Sequence, residues 1–167
     1  MHFNIKELIP ANFHPDSKVW IYQCNRPFTK IEAEEIKSVL NNFASSWTSH
    51  GAKVKGFATL LLDTFLIFMA DESATGVSGC STDSSVRIVK EIEKKYTIEL
   101  FNRQLLAFWV DNNIVRIPLN ELNAALSNRF ISPETLYFNN TILSKKEIEE
   151  KWLTKLKYSW LSNKLAL

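Results

Sequence analysis

Cysteine and histidine are scarce in this chain of 167 residues, which contains two Cys and three His. Two cysteines form one disulfide at most, which excludes the disulfide-rich class of small secreted domains. His2 and His14 have no spacing from Cys24 or Cys80 that would suit a metal ion. We therefore expect no metal site and no cofactor.

A strong excess of charge of one sign is also missing. The formal net charge is +2, and 20 basic residues are interspersed with 18 acidic residues. Domains that bind nucleic acid usually carry a concentrated basic patch. We therefore expect no nucleic-acid partner.

The chain has no long hydrophobic run. Its longest apolar stretch, residues 57–70, is interrupted by Asp63 and is too short to cross a bilayer. The first residues do not show the basic segment followed by an apolar one that marks a signal peptide. We therefore expect a cytoplasmic protein with reduced thiols and no membrane insertion.

The phosphate loop of P-loop nucleotide hydrolases is missing as well. Its pattern, G-x-x-x-x-G-K-[ST], does not occur around any of the four glycines. This absence excludes a P-loop ATPase and leaves open whether the chain is an enzyme of another kind.

The chain does contain enough apolar material for one domain. Hydrophobic residues make up 46% of the sequence, which is sufficient for a core at this length. We predict a single domain over residues 1–167. It comprises an irregular lead-in at 1–17, an α+β core at 18–118 and a C-terminal helical extension at 119–167.

Hydrophobic periodicity predicts alternating strands and helices. The predicted elements of the core are a strand at 19–24, a helix at 29–48, strands at 53–62 and 64–70, a helix capped by Ser81 or Thr82, and strands at 105–110 and 114–117. The extension is predicted to contain a helix at 120–128, an extended or looped stretch at 133–142, and a helix from Ser144 onward.

Two capping boxes support the predicted helix starts. Thr29 with Glu32, and Ser144 with Glu147, match the pattern in which the first side chain and the fourth satisfy backbone N–H groups reciprocally. The second box is expected to open a long helix whose apolar side carries Ile148, Trp152, Leu156 and Trp160.

The first six core elements follow the order βαββαβ of a ferredoxin-like α+β fold, with an extra strand and C-terminal helices added. In that fold the strand at 105–110 lies beside the strand at 19–24, and the strand at 64–70 lies on the other side. An exposed edge of such a sheet can pair with a second copy. We therefore include a dimer through an edge strand among the expectations.

A glycine- and serine-rich loop at residues 71–83 is the candidate ligand site. Glycines allow close backbone approach, and a helix start offers unpaired N–H groups to an anion. The candidate ligand-binding residues are Ser78, Gly79, Ser81, Thr82, Asp83 and Ser85. The alternative interpretation is that these hydroxyls only cap the following helix.

Cys80, in the same loop, is a candidate nucleophile. The dipole and the free N–H groups at a helix start stabilise a thiolate. The predicted fold brings His50, as a base, and Asp71, as the carboxylate that orients it, to the same edge of the sheet. The alternative is that Cys80 is a small buried residue in a tight turn.

The opposite edge of the predicted sheet collects Arg26 and Arg103. Two guanidinium groups at one edge could clamp a carboxylate or a phosphate. The alternative is that these arginines pair with glutamates of the first two predicted helices.

Several segments together resemble one protein family. They are VWIYQCNRPFT at 19–29, WTSHG at 47–51, SGCSTDSSV at 78–86, FNR at 101–103 and FNN at 138–140. This set resembles a family of small uncharacterised proteins from Bacteroidetes-type bacteria whose members are often labelled ABC transporter ATPase. If the family serves a transporter, this chain, which has no P-loop, would suit an accessory role better than ATP hydrolysis.

These patterns predict a cytoplasmic ligand-binding or protein-interaction module with its site at residues 71–83. Its partner would be a small anion or a protein. The alternative is a thiol-dependent enzyme that uses Cys80 as nucleophile and His50 as base.

Overall fold

The computed structural model describes residues 4–49, 51–73 and 79–164, with the backbone alone for residues 79–81. These residues form an α+β structure. The helices are α1 (Lys30–Ser46), α2 (Gly79–Tyr96), α3 (Leu122–Ser127) and α4 (Lys145–Lys151). The strands are β1 (Lys18–Gln23), β2 (Thr48–Ser49), β3 (Ala52–Lys53), β4 (Lys55–Leu61), β5 (Phe65–Asp71), β6 (Leu105–Val110), β7 (Asn113–Pro118), β8 (Leu136–Phe138) and β9 (Leu153–Lys155). No helix within these ranges is long and apolar enough to cross a membrane.

The first antiparallel sheet has the strand order β1-β5-β4. Its middle strand, β5, is buried along its whole length, because both faces of the sheet are covered. On one face, Leu66 and Phe68 pack with Ile36 and Leu40 of α1. On the other face, Phe65 packs against residues of the second sheet. The order of these three strands is the one that the sequence predicted.

The second sheet has the strand order β7-β6-β8-β9. A tight turn joins β6 to β7, and its residues Asp111 and Asn112 have positive φ angles of 48° and 62°. Aspartate and asparagine tolerate this left-handed conformation, which matches the twist of a hairpin. The predicted strands at 105–110 and 114–117 are therefore confirmed, and they form an antiparallel hairpin.

The main departure from the predicted fold concerns β6. The ferredoxin-like order placed this strand beside β1, but it pairs with β7 and β8 in the second sheet. Its side chains explain the difference. Ala107 packs into the core shared with the first sheet, whereas Leu106 and Phe108 pack into a second core with α3. A strand with apolar side chains on both faces buries all of them when it lies between two cores.

The helix that begins at Ser144 is much shorter than predicted. Ser144 caps α4 by accepting a backbone hydrogen bond from the third helical residue, but the helix ends at Lys151. Trp152 then packs edge-on against Phe65 and Phe138, and β9 pairs with β8. The prediction of one long helix from Ser144 through Trp160 was therefore wrong, because strand pairing and the aromatic core outweigh the helical periodicity of this segment.

A buried lysine fastens the lead-in to α4. The ammonium of Lys145 donates hydrogen bonds to the backbone carbonyls of Ala11 at 3.2 Å and Phe13 at 3.1 Å. It also lies 3.4 Å from the Glu149 carboxylate. The lead-in, predicted to be irregular, contains a short 3₁₀ helix at Ile5–Glu7 and is held in place by these contacts.

Candidate functional site

Helix α2 begins earlier than the sequence predicted. Its first residue is Gly79, so Ser81 and Thr82 are helical residues and not the cap that precedes the helix. A cap at Ser81 or Thr82 would make residue 82 or 83 the first helical residue, so the predicted start was three or four residues too late.

Two of the residues predicted to form the loop site, His50 and Ser78, lie outside the described residues. The side chain of Cys80 also lies outside them, although its backbone is part of α2. The pairing of Cys80 with His50 and the anion cradle at residues 78–81 therefore stay predictions.

Ser85 belongs to the core of the first sheet and is not open to solvent. Its side chain is fully buried, and its hydroxyl donates a hydrogen bond to the Thr82 carbonyl at 2.8 Å. It also lies next to Tyr22. Burial raises the pKa of Tyr22, and the charge of Arg103 and a hydrogen bond with Ser85 oppose that rise. Asp83, by contrast, is exposed.

Asp71 is an anchoring carboxylate at the end of β5, with 1% of its surface exposed. Its Oδ2 accepts hydrogen bonds from Lys55 Nζ at 2.6 Å and from the backbone N–H of His14 at 3.2 Å, and its Oδ1 accepts one from the backbone N–H of Ser73 at 3.0 Å. Burial alone would raise the pKa of Asp71, but the hydrogen bonds, led by that from Lys55, lower it well below the usual range. The predicted role in orienting His50 stays a prediction.

Arg26 takes the alternative role predicted for it and pairs with a glutamate. Its guanidinium donates two hydrogen bonds to the Glu32 carboxylate, at 2.7 and 2.8 Å. Glu32 also accepts a hydrogen bond from the backbone N–H of Thr29 at 2.8 Å. The bond from Arg26, supported by that from Thr29, lowers the pKa of Glu32 to about 2. Arg26 thus completes the capping of α1 and is occupied there.

Arg103 has different surroundings. It is exposed, and no hydrogen bond or ion pair joins its side chain to another residue in the described part of the chain. It lines a cleft between β1 and the second sheet. The two arginines that were predicted to act together therefore have different surroundings.

The cleft is formed by side chains that are far apart in the sequence. Its walls include Tyr22, Gln23, Phe101, Leu106, Tyr137 and Trp160. The cleft volume is about 60 Å³, well below the roughly 300 Å³ at which pockets for drug-sized ligands begin. It therefore admits a small carboxylate or a single side chain and excludes a whole nucleotide.

A chain of side-chain amides fixes one wall of the cleft. Gln23 Nε2 donates to the Leu105 carbonyl at 2.8 Å, Asn140 Nδ2 donates to Gln23 Oε1 at 2.9 Å, and Trp152 Nε1 donates to Asn140 Oδ1 at 3.0 Å. Both ends of each amide are engaged, so the wall is preorganised. Asn140 lies in the FNN segment quoted for the resemblance, but sequence analysis assigned it no role.

The other wall is aromatic and uncharged. Trp160 Nε1 donates a hydrogen bond to the Tyr137 hydroxyl at 3.3 Å. Burial raises the pKa of Tyr137 to about 12, which keeps the phenol neutral near pH 7. Among the described residues that line the cleft, Arg103 is the one that carries a charge.

Within the described residues, no group of three or more His, Cys, Asp or Glu side chains is arranged to hold a metal ion. Comparison of the chain with protein-family models, curated proteins and solved structures finds no match.

Proposed function

We propose that this protein is a ligand-binding module whose site is the cleft beside β1, with Arg103 as the group that binds an anion. The ligand carries one carboxylate or a similar anionic group attached to a small apolar part. The observation that carries this proposal is an exposed guanidinium, without a described partner, on an otherwise uncharged cleft.

The composition of the cleft supports a ligand of this kind. Binding sites for small molecules combine apolar and aromatic walls with a few placed polar groups. Phe101, Leu106 and Tyr137 provide such walls here. A guanidinium presents a planar fork of donors that matches a carboxylate.

The position of the cleft in the fold also supports the proposal. It lies where two layers meet, with β1, α1, β4, β5 and α2 packed together on one side. This βαββα unit is the part of a ferredoxin-like arrangement that we propose the chain retains. The expectation of a site at residues 71–83 is kept as the less favoured proposal, because Asp71 and Ser85 at its borders are engaged within the fold.

Titration with benzoate, followed by the backbone amide signals in NMR spectra, tests the proposal. We expect shifts at residues that line the cleft, and we expect Arg103→Gln to weaken binding by about tenfold or more through loss of a charge-assisted hydrogen bond. Arg87→Gln is the matched control, since Arg87 is exposed on α2 and does not line the cleft.

Absence of benzoate binding to the unaltered protein would contradict the proposal. So would equal binding by the Arg103→Gln and Arg87→Gln variants.

A further inference from the structure

The outer edge of β1 has hydrogen-bonding groups that no neighbouring strand uses. Backbone groups of successive residues in a strand point alternately to its two edges. Cys24, just after β1, donates its N–H toward β5, to the Thr64 carbonyl at 2.9 Å. Val19 donates in the opposite direction, to the Leu143 carbonyl at 3.0 Å. Ile21, two residues beyond Val19, therefore points its N–H and C=O toward the outer edge.

This outer edge is covered at its two ends and open between them. Leu143 accepts the bond from Val19 at one end, and at the other Asn25, just after β1, donates to the Glu99 carbonyl at 3.1 Å. Between these bonds, Ile21 and Gln23 point their backbone N–H and C=O groups outward, and no hydrogen bond joins those groups to any other described residue. The side chain of Gln23 is engaged separately, with the Leu105 carbonyl. The open stretch from Ile21 to Gln23 is about 7 Å long, the length of a two-residue repeat in a strand.

The open edge of β1 borders the cleft that we propose as the binding site. Ile21 and Gln23 line the cleft, together with Arg103. The outward N–H and C=O of one residue can exchange both hydrogen bonds with one residue of an antiparallel extended chain. The guanidinium supplies the counter-charge for a carboxylate, and the apolar walls have room for one side chain.

We infer that the cleft binds the carboxyl-terminal end of an extended peptide. The main chain of the peptide pairs with Ile21, its terminal carboxylate pairs with Arg103, and its last side chain, which is apolar, enters the cleft. This inference rests on the proposed function and specifies its ligand. A second copy of this chain that paired through the same edge is a poorer fit, since β1 itself carries no carboxylate that could pair with Arg103.

The test uses acetyl-Ala-Phe with a free carboxylate, acetyl-Ala-Phe-amide, and the full-length protein. We expect the acid to bind at least about tenfold more tightly than the amide. We expect the acid to slow hydrogen exchange of the Ile21 backbone amide. Arg103→Gln should abolish the preference for the acid, whereas Arg87→Gln should keep it, with both variants unchanged in thermal unfolding.

The peptide inference would be overturned if acid and amide bind equally or if bound acid leaves exchange at Ile21 unchanged. In that case, benzoate binding that depends on Arg103 would show that the proposed function stands with a different ligand. Absence of binding by both benzoate and the peptide acid would overturn the two proposals together.

Discussion

Arg26 and Arg103 both lie next to a strand in the sequence, but their surroundings in the structure differ. Arg26 follows β1, makes two hydrogen bonds to Glu32 and helps to start α1. Arg103 precedes β6, has no described partner and lines a cleft. The same side chain therefore stabilises the fold at one position and is available to a ligand at the other. Removing paired charges should lower stability, while removing the charge of Arg103 should lower binding.

The largest effect on stability is expected where a paired charge is most buried. Asp71→Asn removes the charge partner of Lys55 and weakens the acceptor for two backbone N–H groups. We expect a loss of about 2 kcal/mol in the free energy of unfolding, measured by urea denaturation. Asp83→Asn, at an exposed position, is the control and should change the value by no more than about 0.5 kcal/mol. Equal effects would contradict an anchoring role for Asp71.

The direct comparison of the arginines comes next in size. Arg26→Gln should cost about 1 kcal/mol, because the ion pair with Glu32 is partly exposed and supports a helix cap. Arg103→Gln should change the free energy of unfolding by less than about 0.5 kcal/mol. Urea denaturation of both variants measures the difference. A larger loss for Arg103→Gln would mean that Arg103 is structural and would contradict the proposed function.

The contribution of Arg26 should depend on pH. The pKa of Glu32 in the folded state is about 2, below the ordinary value of about 4.3. A lowered folded-state pKa gives stability that is fully present above the unfolded-state pKa and is lost as the pH falls through the folded-state pKa. The stability difference between the unaltered protein and Arg26→Gln should therefore shrink between about pH 4.3 and pH 2. A difference that is constant over this range would exclude Glu32 as the partner that matters.

The smallest effect is expected at the two cysteines. Cys24 is completely buried, and burial raises the pKa of its thiol, so iodoacetamide should leave it unlabelled in the native protein. Cys80 carries the alternative prediction of a thiol-dependent enzyme. That alternative requires labelling of Cys80 well below the model thiol pKa of about 8.5, measured by mass spectrometry with Cys24 as the internal reference. Labelling of both cysteines only after denaturation would remove the alternative.

Much of the local structure could be predicted because the deciding contacts are short in sequence. The Thr29 capping box requires residues only three positions apart, and both of its hydrogen bonds are present. The turn at Asp111 and Asn112 requires only residues that tolerate positive φ. The three strands of the first sheet follow from their hydrophobic runs and from the helix between the first two.

The remaining structure depends on contacts between distant parts of the chain. Whether β6 pairs with β1 or with β8 is decided by which cores its two faces enter, and hydrophobic periodicity is the same in both cases. Trp152 fits an amphipathic helix in sequence but packs against Phe65 and Phe138 after the helix has ended.

The cleft is a further case of this kind. Its walls come from residues 21–23, 100–106, 137–141 and Trp160, which no local motif connects. Arg103 was predicted as a candidate anion-binding residue from its charge and its predicted edge. Its place on this cleft could not be foreseen, because the cleft follows from the placement of β6.

The hydrogen bond between Lys145 and Ala11 spans 134 residues of the chain, which has a consequence for biosynthesis. At about 5–20 residues per second, a ribosome needs roughly 7–27 s to progress from the first residue of this pair to the second. Throughout that interval the lead-in lacks the two bonds from Lys145 and keeps the one that the Lys55 ammonium donates to the Asn12 carbonyl at 2.8 Å. Leu143 does not yet cover the start of the outer edge of β1. We expect chains arrested before residue 145 to be cleaved by protease within residues 4–17, and later release to protect them. The lead-in therefore becomes fully protected from protease only when nearly all of the described chain has been synthesised.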